Sequence, residues 1–276
     1  MTHQLDFDRI NHLLNPDFLA DKRVTVVGLG SGGAPVCDHL AMNGVRQWSL
    51  FDPDVLEPVN LVKHPRQRQD LGRPKVDVQA DWLLDRNPES AVDTYQEDVM
   101  ESQSFRNCVT ASDVVLACPD KKSVREFISD VCVEAQVPFV TASVFRTGIG
   151  GEVFRYVPGE TGCYQCLQLH SLANDLNLTD DALGLSAEEE DRIYGNGERD
   201  FVASGLSIDI QMIALIQARM ALYILLRGSA SSLPQMRANW IIFANRPAKG
   251  IFTGHFDVQR MQLSPQRACR CAQGEG

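Results

Sequence analysis

Three glycines lie close together near the start of the chain, directly after an apolar run at residues 24–27. Gly28, Gly30 and Gly33 match the pattern G-x-G-x-x-G and open a predicted helix. Glycines at this spacing allow a tight turn, and a helix N-terminus offers free N–H groups to a phosphate. Asp52 ends the next predicted strand, where an acid can accept hydrogen bonds from ribose hydroxyls. The pattern predicts nucleotide binding but leaves the nucleotide open, with a nicotinamide coenzyme as its default interpretation.

Two close pairs of cysteines indicate a metal site. Cys163 and Cys166 are separated by two residues, and Cys269 and Cys271 are separated by one residue. Paired cysteines of this kind suggest four thiolates around a tetrahedral Zn²⁺, which would clip the C-terminal tail onto the domain as a structural site. The alternative is four reduced, unligated thiols on a frayed tail. The other cysteines fall in predicted helices or strands and are interpreted as small apolar residues: Cys37, Cys108, Cys118 and Cys132.

Predicted strands and helices alternate along the first half of the chain. The strands are β-branched or apolar runs at 24–27, 48–51, 91–95, 113–117 and 138–141. Helices are predicted at 34–42, 75–84 and 123–135. This alternation is typical of an α/β protein with a Rossmann-like, doubly wound, mostly parallel sheet and helices on both faces. An antiparallel C-terminal extension follows, with an alternating segment at 152–157 and closing strands at 240–243 and 250–256.

These elements predict one domain spanning 1–276. A helical arm at 1–22 precedes a nucleotide-binding core at 23–146, and residues 147–276 form the antiparallel extension. The longest apolar segment, 206–226, is interrupted by polar residues such as Asp209, so it is interpreted as a buried helix rather than a membrane span.

The composition excludes some classes of function. The chain has 276 residues with 26 Lys+Arg and 36 Asp+Glu, a formal charge of −10, which argues against binding a nucleic-acid backbone. The N-terminus has no basic stretch followed by an apolar one, so a cytoplasmic protein without a secretory signal is expected. Acidic residues concentrate in the polar segment 174–204, which is either a solvated face or a lid that guides a basic partner.

The segment that begins at Asp52 narrows the choice of nucleotide. From Asp52 to Leu61 it reads D-P-D-V-L-E-P-V-N-L, and a G-x-x-K motif ending at Lys75 follows. Asp120 follows the fourth predicted strand. With the glycine loop and the C-x-x-C at Cys163, these motifs resemble the ubiquitin-activating (E1-like) adenylyltransferase superfamily, which includes the ThiF, MoeB and HesA proteins. The resemblance covers residues 20–170 well and the remainder loosely.

This resemblance implies ATP chemistry. Such enzymes join the C-terminal glycine carboxylate of a ubiquitin-like or sulfur-carrier protein to AMP and release pyrophosphate. By resemblance, Lys75 would hold the phosphates and Asp120 would hold Mg²⁺, while Asp52 and Asp54 would bind the nucleotide. Asn60 would donate to a phosphate or to the incoming carboxylate.

Two positions depart from the family's pattern. Lys63 stands where the family usually has arginine, so the charge is kept but the planar, two-pronged donor is lost. The family also uses an N-terminal arginine, often supplied by the partner subunit of a dimer. Arg9 is the nearest match, and its alternative is a surface arginine on a helix, while Arg46 and Arg66 are interpreted as bystanders.

The crossover loop at 174–204 contains no cysteine. The resemblance therefore implies adenylation without a thioester on that loop, as in the MoeB type, or a separate thiol-bearing protein as acceptor. It also implies a homodimer. Two alternatives remain: a catalytically silent scaffold subunit that binds a partner protein, and a nicotinamide-dependent oxidoreductase, which leaves Lys75, Asp120 and the cysteine pairs unexplained.

Overall fold

A single eight-stranded sheet forms the centre of the protein. The computed structural model describes residues 5–173, 205–248, 252–267 and 269–272, so the acidic segment 174–204 lies outside the described residues. The strand order is β3-β2-β1-β4-β5-β6-β7-β8. The strands are β1 Arg23–Val27, β2 Gln47–Phe51, β3 Ala91–Tyr95, β4 Val114–Ala117, β5 Phe139–Val144, β6 Gly150–Tyr156, β7 Trp240–Ala244 and β8 Val258–Met261.

Helices cover both faces of this sheet. In the described ranges they are α1 Pro16–Ala20, α2 Gly33–Met42, α3 Lys75–Arg86, α4 Phe105–Thr110, α5 Lys122–Ala135, α6 Tyr164–Ala173 and α7 Ser207–Leu225. Helix α1 lies within the predicted helical arm at 1–22, whereas the sequence analysis does not predict α4 or α6. Helices α1 and α4 are single turns or little more, and α1 depends on a local cap in which the Asn15 side chain accepts hydrogen bonds from the backbone N–H groups of Asp17 and Phe18.

The first five strands are parallel, and β1 lies between β2 and β4. The chain therefore leaves β1 toward β2 on one side and later returns to β4 on the other. In a doubly wound sheet, this switch opens a crevice at the carboxyl ends of the two central strands, where ligands bind. The predicted doubly wound sheet is confirmed, and its crevice lies directly above the glycine loop that follows β1.

The last three strands are antiparallel and extend the same sheet. The predicted closing strand at 250–256 is wrong, because the final strand is β8, Val258–Met261. The reason is a local turn: the Asp257 carboxylate accepts hydrogen bonds from the Thr253 hydroxyl at 2.9 Å and the Gly254 N–H at 2.7 Å. Side-chain bonds of this kind compete with strand pairing, and Phe256 adopts a positive φ of 61° in the same turn.

Helix α7 packs across the centre of the sheet against α2 and strands β4 to β6. It is long and apolar enough to cross a membrane by composition, and it is the one such helix among the described residues. However, Ile213, Met220 and Ala221 are fully buried, and the buried Gln217 amide donates to the carbonyls of Ala117 and Val140, both at 3.2 Å. The prediction of a buried helix is confirmed.

Candidate nucleotide and metal sites

The glycine loop is a tight turn between β1 and α2. Gly28 has a φ of +85°, and a Cβ at Gly33 would lie 1.9 Å from the Gly28 carbonyl oxygen, so only glycine fits there. A Cβ at Gly30 or Gly32 would meet no atom within 4 Å. The loop is therefore closed on its inner side and open on its outer side, which is the geometry that lets a phosphate approach the backbone.

Asp52 ends β2 beneath this loop and is 4% exposed. Its carboxylate accepts hydrogen bonds from the backbone N–H groups of Leu29 at 2.6 Å and Asp54 at 2.9 Å. Burial raises the pKa of Asp52, and the charge of Lys75 opposes that rise. The acid thus ties the end of β2 to the glycine loop.

Lys75 is the first residue of α3 and reaches the same acid cluster. Its Nζ lies 2.6 Å from Asp54 Oδ2 and 3.8 Å from Asp52 Oδ1. The Lys75 side chain is 10% exposed, whereas that of Asp54 is 63% exposed. A cation whose stem is buried and whose partner faces solvent is placed to exchange that partner for a phosphate oxygen. The structure therefore brings together Asp52, Asp54 and Lys75.

Asn60 and Lys63 lie in the segment between β2 and α3. Asn60 ends a short 3₁₀ turn, Pro58–Asn60, and its side-chain oxygen accepts a hydrogen bond from the Glu57 N–H at 2.9 Å. Lys63 is half-buried, and its backbone N–H donates to the Asn60 carbonyl at 3.0 Å. The two residues are therefore fixed relative to each other by a local turn.

His64 fastens this segment to the glycine loop, a role that sequence reasoning missed. Its Nε2 lies 2.8 Å from the Leu29 carbonyl, and its Nδ1 accepts from the Arg66 N–H at 3.2 Å. These partners assign the neutral tautomer with the proton on Nε2. Burial lowers the pKa of His64, and the nearby charges of Arg66 and Lys75 lower it further. The sequence signal that could have indicated this role is the position of His64, immediately after Lys63.

Arg66, interpreted as a bystander and not as the family's arginine, is a buried residue with a structural role. Its guanidinium donates to Asp38 at 3.0 and 2.5 Å and to the Gln79 side-chain oxygen at 2.6 Å. It also lies over the Trp82 ring, 4.9 Å from the centroid. Asp38 is on α2 and Gln79 is on α3, so the arginine holds the segment 58–66 against both helices that frame the crevice.

Asp120 follows β4 on the other side of the crevice and is exposed. A Cβ at Gly28 would lie 3.0 Å from the Cys118 carbonyl carbon and 3.0 Å from Pro119 N, so the turn that carries Asp120 touches the glycine loop. The acids predicted to bind the nucleotide and the metal thus flank one crevice, Asp52 after β2 and Asp120 after β4.

The structure does not bring Arg9 to this crevice within one chain. Arg9 is exposed in the turns before α1. This N-terminal segment packs at the opposite edge of the sheet, where the Ser232 N–H donates to the Leu13 carbonyl at 3.0 Å and Pro16 lies against Gly44 beyond the C-terminus of α2.

The two cysteine pairs meet in one buried cluster, as the sequence predicts. The four Sγ atoms lie within 4.8 Å of one another: Cys163 is 4.0 Å from Cys166 and 3.4 Å from Cys269, and Cys271 is 3.5 Å from both Cys166 and Cys269. A disulfide needs about 2.05 Å between sulfurs, so these are not bonded pairs. Four thiolates 2.3 Å from a tetrahedral ion would lie about 3.8 Å apart, so the cluster has the size of a metal site.

The remaining cysteines show no sign of activation. Cys37 and Cys132 are buried, which confirms their interpretation as apolar core residues. Cys118 lies directly below the glycine loop, but burial raises the pKa of its thiol to about 12, and its Sγ donates to the Gln217 side-chain oxygen at 3.5 Å. A protonated thiol is a poor nucleophile, so this cysteine acts as a packing residue.

A doubly wound sheet with this loop, acid pair and lysine defines a nucleotide-binding protein of the Rossmann type. The ThiF family model matches residues 2–269. The chain therefore belongs to the ThiF family.

Curated relatives match about half of the chain. The chain is 34% identical over 151 residues to the sulfur carrier protein ThiS adenylyltransferase of Escherichia coli, a match that covers 54% of this chain and 59% of the relative. It is 35% identical over 155 residues to the molybdopterin-synthase adenylyltransferase of E. coli, with the same coverage. The aligned region thus spans less than two thirds of these relatives.

Solved structures match nearly the whole fold. The ATP complex of E. coli MccB superposes with a TM-score of 0.67 at 19% identity, covering 92% of this chain and 67% of that one. PaaA superposes with a TM-score of 0.67 at 16% identity, covering 90% of this chain and 75% of that one. At these identities the likeness shows that the fold is shared.

Proposed function

We propose that this protein is an ATP-dependent adenylyltransferase that activates the C-terminal carboxylate of a ubiquitin-like or sulfur-carrier protein. The observation that carries the proposal is the position of Lys75. Its Nζ lies 2.6 Å from Asp54 and 3.8 Å from Asp52, at the mouth of a crevice bounded by the open glycine loop and by Asp120. Binding of a nicotinamide coenzyme would not explain the presence of this cation or of Asp120.

The reaction transfers AMP to a carboxylate. A carrier carboxylate oxygen attacks the α-phosphorus of ATP, the bond to the bridging oxygen breaks, and pyrophosphate leaves. Negative charge builds on the phosphate oxygens, and fixed cations near those oxygens supply most of the catalysis. Lys75 is suited to this work because its stem is buried and its amine is already held by acids that a phosphate can replace.

The other residues have matching roles in the proposal. Asp52 accepts from the ribose hydroxyls through the lone pairs that Leu29 and Asp54 leave available. Asp120 holds Mg²⁺, which prefers carboxylate and water ligands and supplies charge neutralisation at the phosphates. Asn60 and Lys63 contact a phosphate or the incoming carboxylate.

Arg9 can contribute only from a second copy of the chain, since its own segment lies at the opposite edge of the sheet. The proposal therefore includes a homodimer, in the cytoplasm, in which each N-terminal arm completes the partner's site.

Zn²⁺ is the ion proposed for the cysteine cluster. Four buried sulfurs at 3.4–4.0 Å fit the ligand type and size of a closed structural zinc site. Such an ion would join the start of α6, where the first pair lies, to the C-terminal tail, which carries the second pair. One equivalent of zinc in the purified protein, lost in a Cys163→Ser variant, is the expected result of metal analysis.

The names of the relatives support the proposed carrier class. They include an adenylyltransferase of the sulfur carrier ThiS and a ubiquitin-like modifier-activating enzyme. The substrate proposed here is a small carrier protein with a C-terminal glycine, as the resemblance to the E1-like superfamily implies. Because 174–204 contains no cysteine, the proposed product is an adenylate that reacts onward without a thioester on that loop, with a separate thiol-bearing protein as acceptor.

A catalytically silent scaffold is the second candidate. Lys63 favours it, because lysine lacks the two-pronged guanidinium that can clamp a phosphate or carboxylate. Such a protein would bind Mg·ATP and a partner without turnover.

Exchange of labelled pyrophosphate into ATP separates these candidates. Candidate carriers ending in Gly-Gly are added with a free C-terminus or as the C-terminal amide, which cannot attack phosphorus. The proposal predicts exchange with the free carboxylate alone, and loss of exchange in Asp120→Ala but not in the matched exposed variant Asp85→Ala. Nucleotide binding without exchange for any carrier would support the scaffold, and oxidation of NADH would contradict both.

A further inference from the structure

Arg125 lies behind the turn that carries Asp120, on the first turns of α5. The residue is only 7% exposed. Its Nη1 donates to two consecutive backbone carbonyls, those of Pro119 at 3.0 Å and Asp120 at 2.6 Å. One charged donor shared by two neighbouring carbonyls fixes the orientation of the peptide units on both sides of the Asp120 Cα. The exposed carboxylate of Asp120 is therefore attached to a backbone segment that the buried Arg125 holds in place through hydrogen bonds.

The same guanidinium reaches toward the cysteine cluster through Tyr164. Its Nε donates to the Tyr164 hydroxyl at 3.4 Å. Tyr164 lies between Cys163 and Cys166 in the sequence and begins α6. Its ring is wedged among the core aromatics, with centroids 6.3 Å from Phe139 and 6.2 Å from Phe154. The tyrosine is therefore close to both cysteines of the first pair along the chain, and it contacts the arginine directly.

A buried acid completes the polar surroundings of the arginine. The Glu152 carboxylate on β6 accepts a hydrogen bond from Trp240 Nε1 at 2.8 Å. Burial raises the pKa of Glu152, and the charge of Arg125 opposes that rise. The guanidinium is thus held by the carbonyls of the Asp120 turn and by the hydroxyl beside the cysteine cluster, and the charge of Glu152 lies nearby.

We infer that Arg125 is a positioning residue for the Mg²⁺ ligand Asp120, and that Tyr164 couples this residue to the cysteine cluster. The inference rests on the proposed function. Mg²⁺ tolerates little departure from octahedral geometry, so a small change in the direction of one carboxylate costs affinity. An intact cluster holds Tyr164, Tyr164 holds Arg125, and Arg125 sets the backbone that aims Asp120.

The test measures how nucleotide binding depends on Mg²⁺ in the full-length protein. Binding of a fluorescent ATP analogue is titrated with Mg²⁺, and separately in EDTA. In Arg125→Gln we expect the Mg²⁺ concentration at half-saturation to rise about tenfold, while binding in EDTA stays unchanged. In Tyr164→Phe, which keeps the ring and loses the hydroxyl, a rise of about twofold to threefold is expected. Arg125→Lys should recover part of the loss, because lysine keeps a charged donor.

Two further variants test whether the effect on Mg²⁺ dependence comes from the contact between Arg125 and Tyr164. The double variant Arg125→Gln/Tyr164→Phe should equal Arg125→Gln alone, because both substitutions break one linked set of contacts. Arg106→Gln is the matched control on the same face of the sheet: its guanidinium is 60% exposed and pairs with Glu134 at 2.6 Å, and no shift is expected.

Each outcome decides something. Wild-type protein without Mg²⁺-dependent nucleotide binding would overturn the proposed function together with this inference. Wild-type binding that responds to Mg²⁺, with unchanged half-saturation in Arg125→Gln and Tyr164→Phe, would overturn the inference alone. Equal losses with Mg²⁺ and in EDTA would identify a merely structural residue and would also overturn it. If Arg125→Gln does not fold, Tyr164→Phe decides the outcome.

Discussion

Replacing Lys75 by methionine tests the cation at the mouth of the crevice. Methionine keeps the length and the apolar stem of lysine and removes the charge. The Asp54 partner is 63% exposed, so that ion pair contributes little to stability, about 0–1 kcal/mol. The Asp52 partner is buried, and at an effective dielectric of about 20 the attraction across 3.8 Å is roughly 4 kcal/mol.

The loss of folding stability should be smaller than this attraction. Asp52 keeps the N–H donors of Leu29 and Asp54, which continue to stabilise its carboxylate. Removing lysine also removes the cost of burying it. We therefore expect the free energy of unfolding to fall by about 2–3 kcal/mol, or roughly 3–5 °C in Tm. The variant should still be folded at room temperature.

Activity should fall much further than stability. Removing one preorganised group aimed at developing charge typically costs about 10²–10³ in rate. Pyrophosphate exchange in Lys75→Met should therefore fall by about that factor under conditions where circular dichroism shows a folded protein. Lys22→Met is the matched control, because Lys22 also pairs with an aspartate, Asp113, at 2.8 Å, but at the opposite edge of the sheet. Exchange within threefold of wild type in Lys75→Met, or an equal loss in Lys22→Met, would refute the assigned role.

Three further predictions follow from the geometry around the crevice and the cluster. Gly33→Ala should abolish nucleotide binding and lower Tm, because its Cβ would lie 1.9 Å from the Gly28 carbonyl oxygen. Gly30→Ala should fold normally, because a Cβ there would meet no atom within 4 Å, and equal Tm values for the two variants would contradict this prediction. Because burial lowers the folded-state pKa of His64, the unfolded chain binds more protons below about pH 6.5, so stability should fall as pH drops from 7.5 to 5.5. That fall should be smaller in His64→Gln. The raised pKa values of Asp52 and Glu152 contribute to the pH dependence of both proteins alike, so an identical fall in both would show that His64 is not its cause. Treatment with a strong zinc chelator should lower Tm in wild type but not in Cys163→Ser, and an unchanged wild-type Tm would argue against a structural ion.

Much of the parallel half of the fold could be predicted from the sequence because its signals are local. Strand β1 is a short β-branched run that must be followed by Gly28, and α2 begins where the glycines end. The spacing of the four cysteines predicts one shared site but leaves unligated thiols as an alternative, and the structure brings their sulfurs within 4.8 Å of one another.

What the sequence could not provide depends on contacts across the chain. Nothing near Arg66 in sequence indicates Asp38 or Gln79, which lie on two different helices, so its buried ion pair could not be predicted. His64 and Arg125 were missed for the same reason: their partners are backbone carbonyls, which leave no mark on residue type. The last strand was misplaced because the Asp257 turn outcompetes pairing by the apolar residues before it.

The most direct measurement is a crystal structure of the protein soaked with Mg²⁺ and a non-hydrolysable ATP analogue. The account predicts a triphosphate lying along Gly28–Gly33, with Lys75 Nζ moved from Asp54 to a phosphate oxygen and the Asp120 carboxylate on the metal. A nucleotide bound elsewhere, or bound in this crevice with Lys75 still paired to Asp54 and Asp120 turned to solvent, would contradict it.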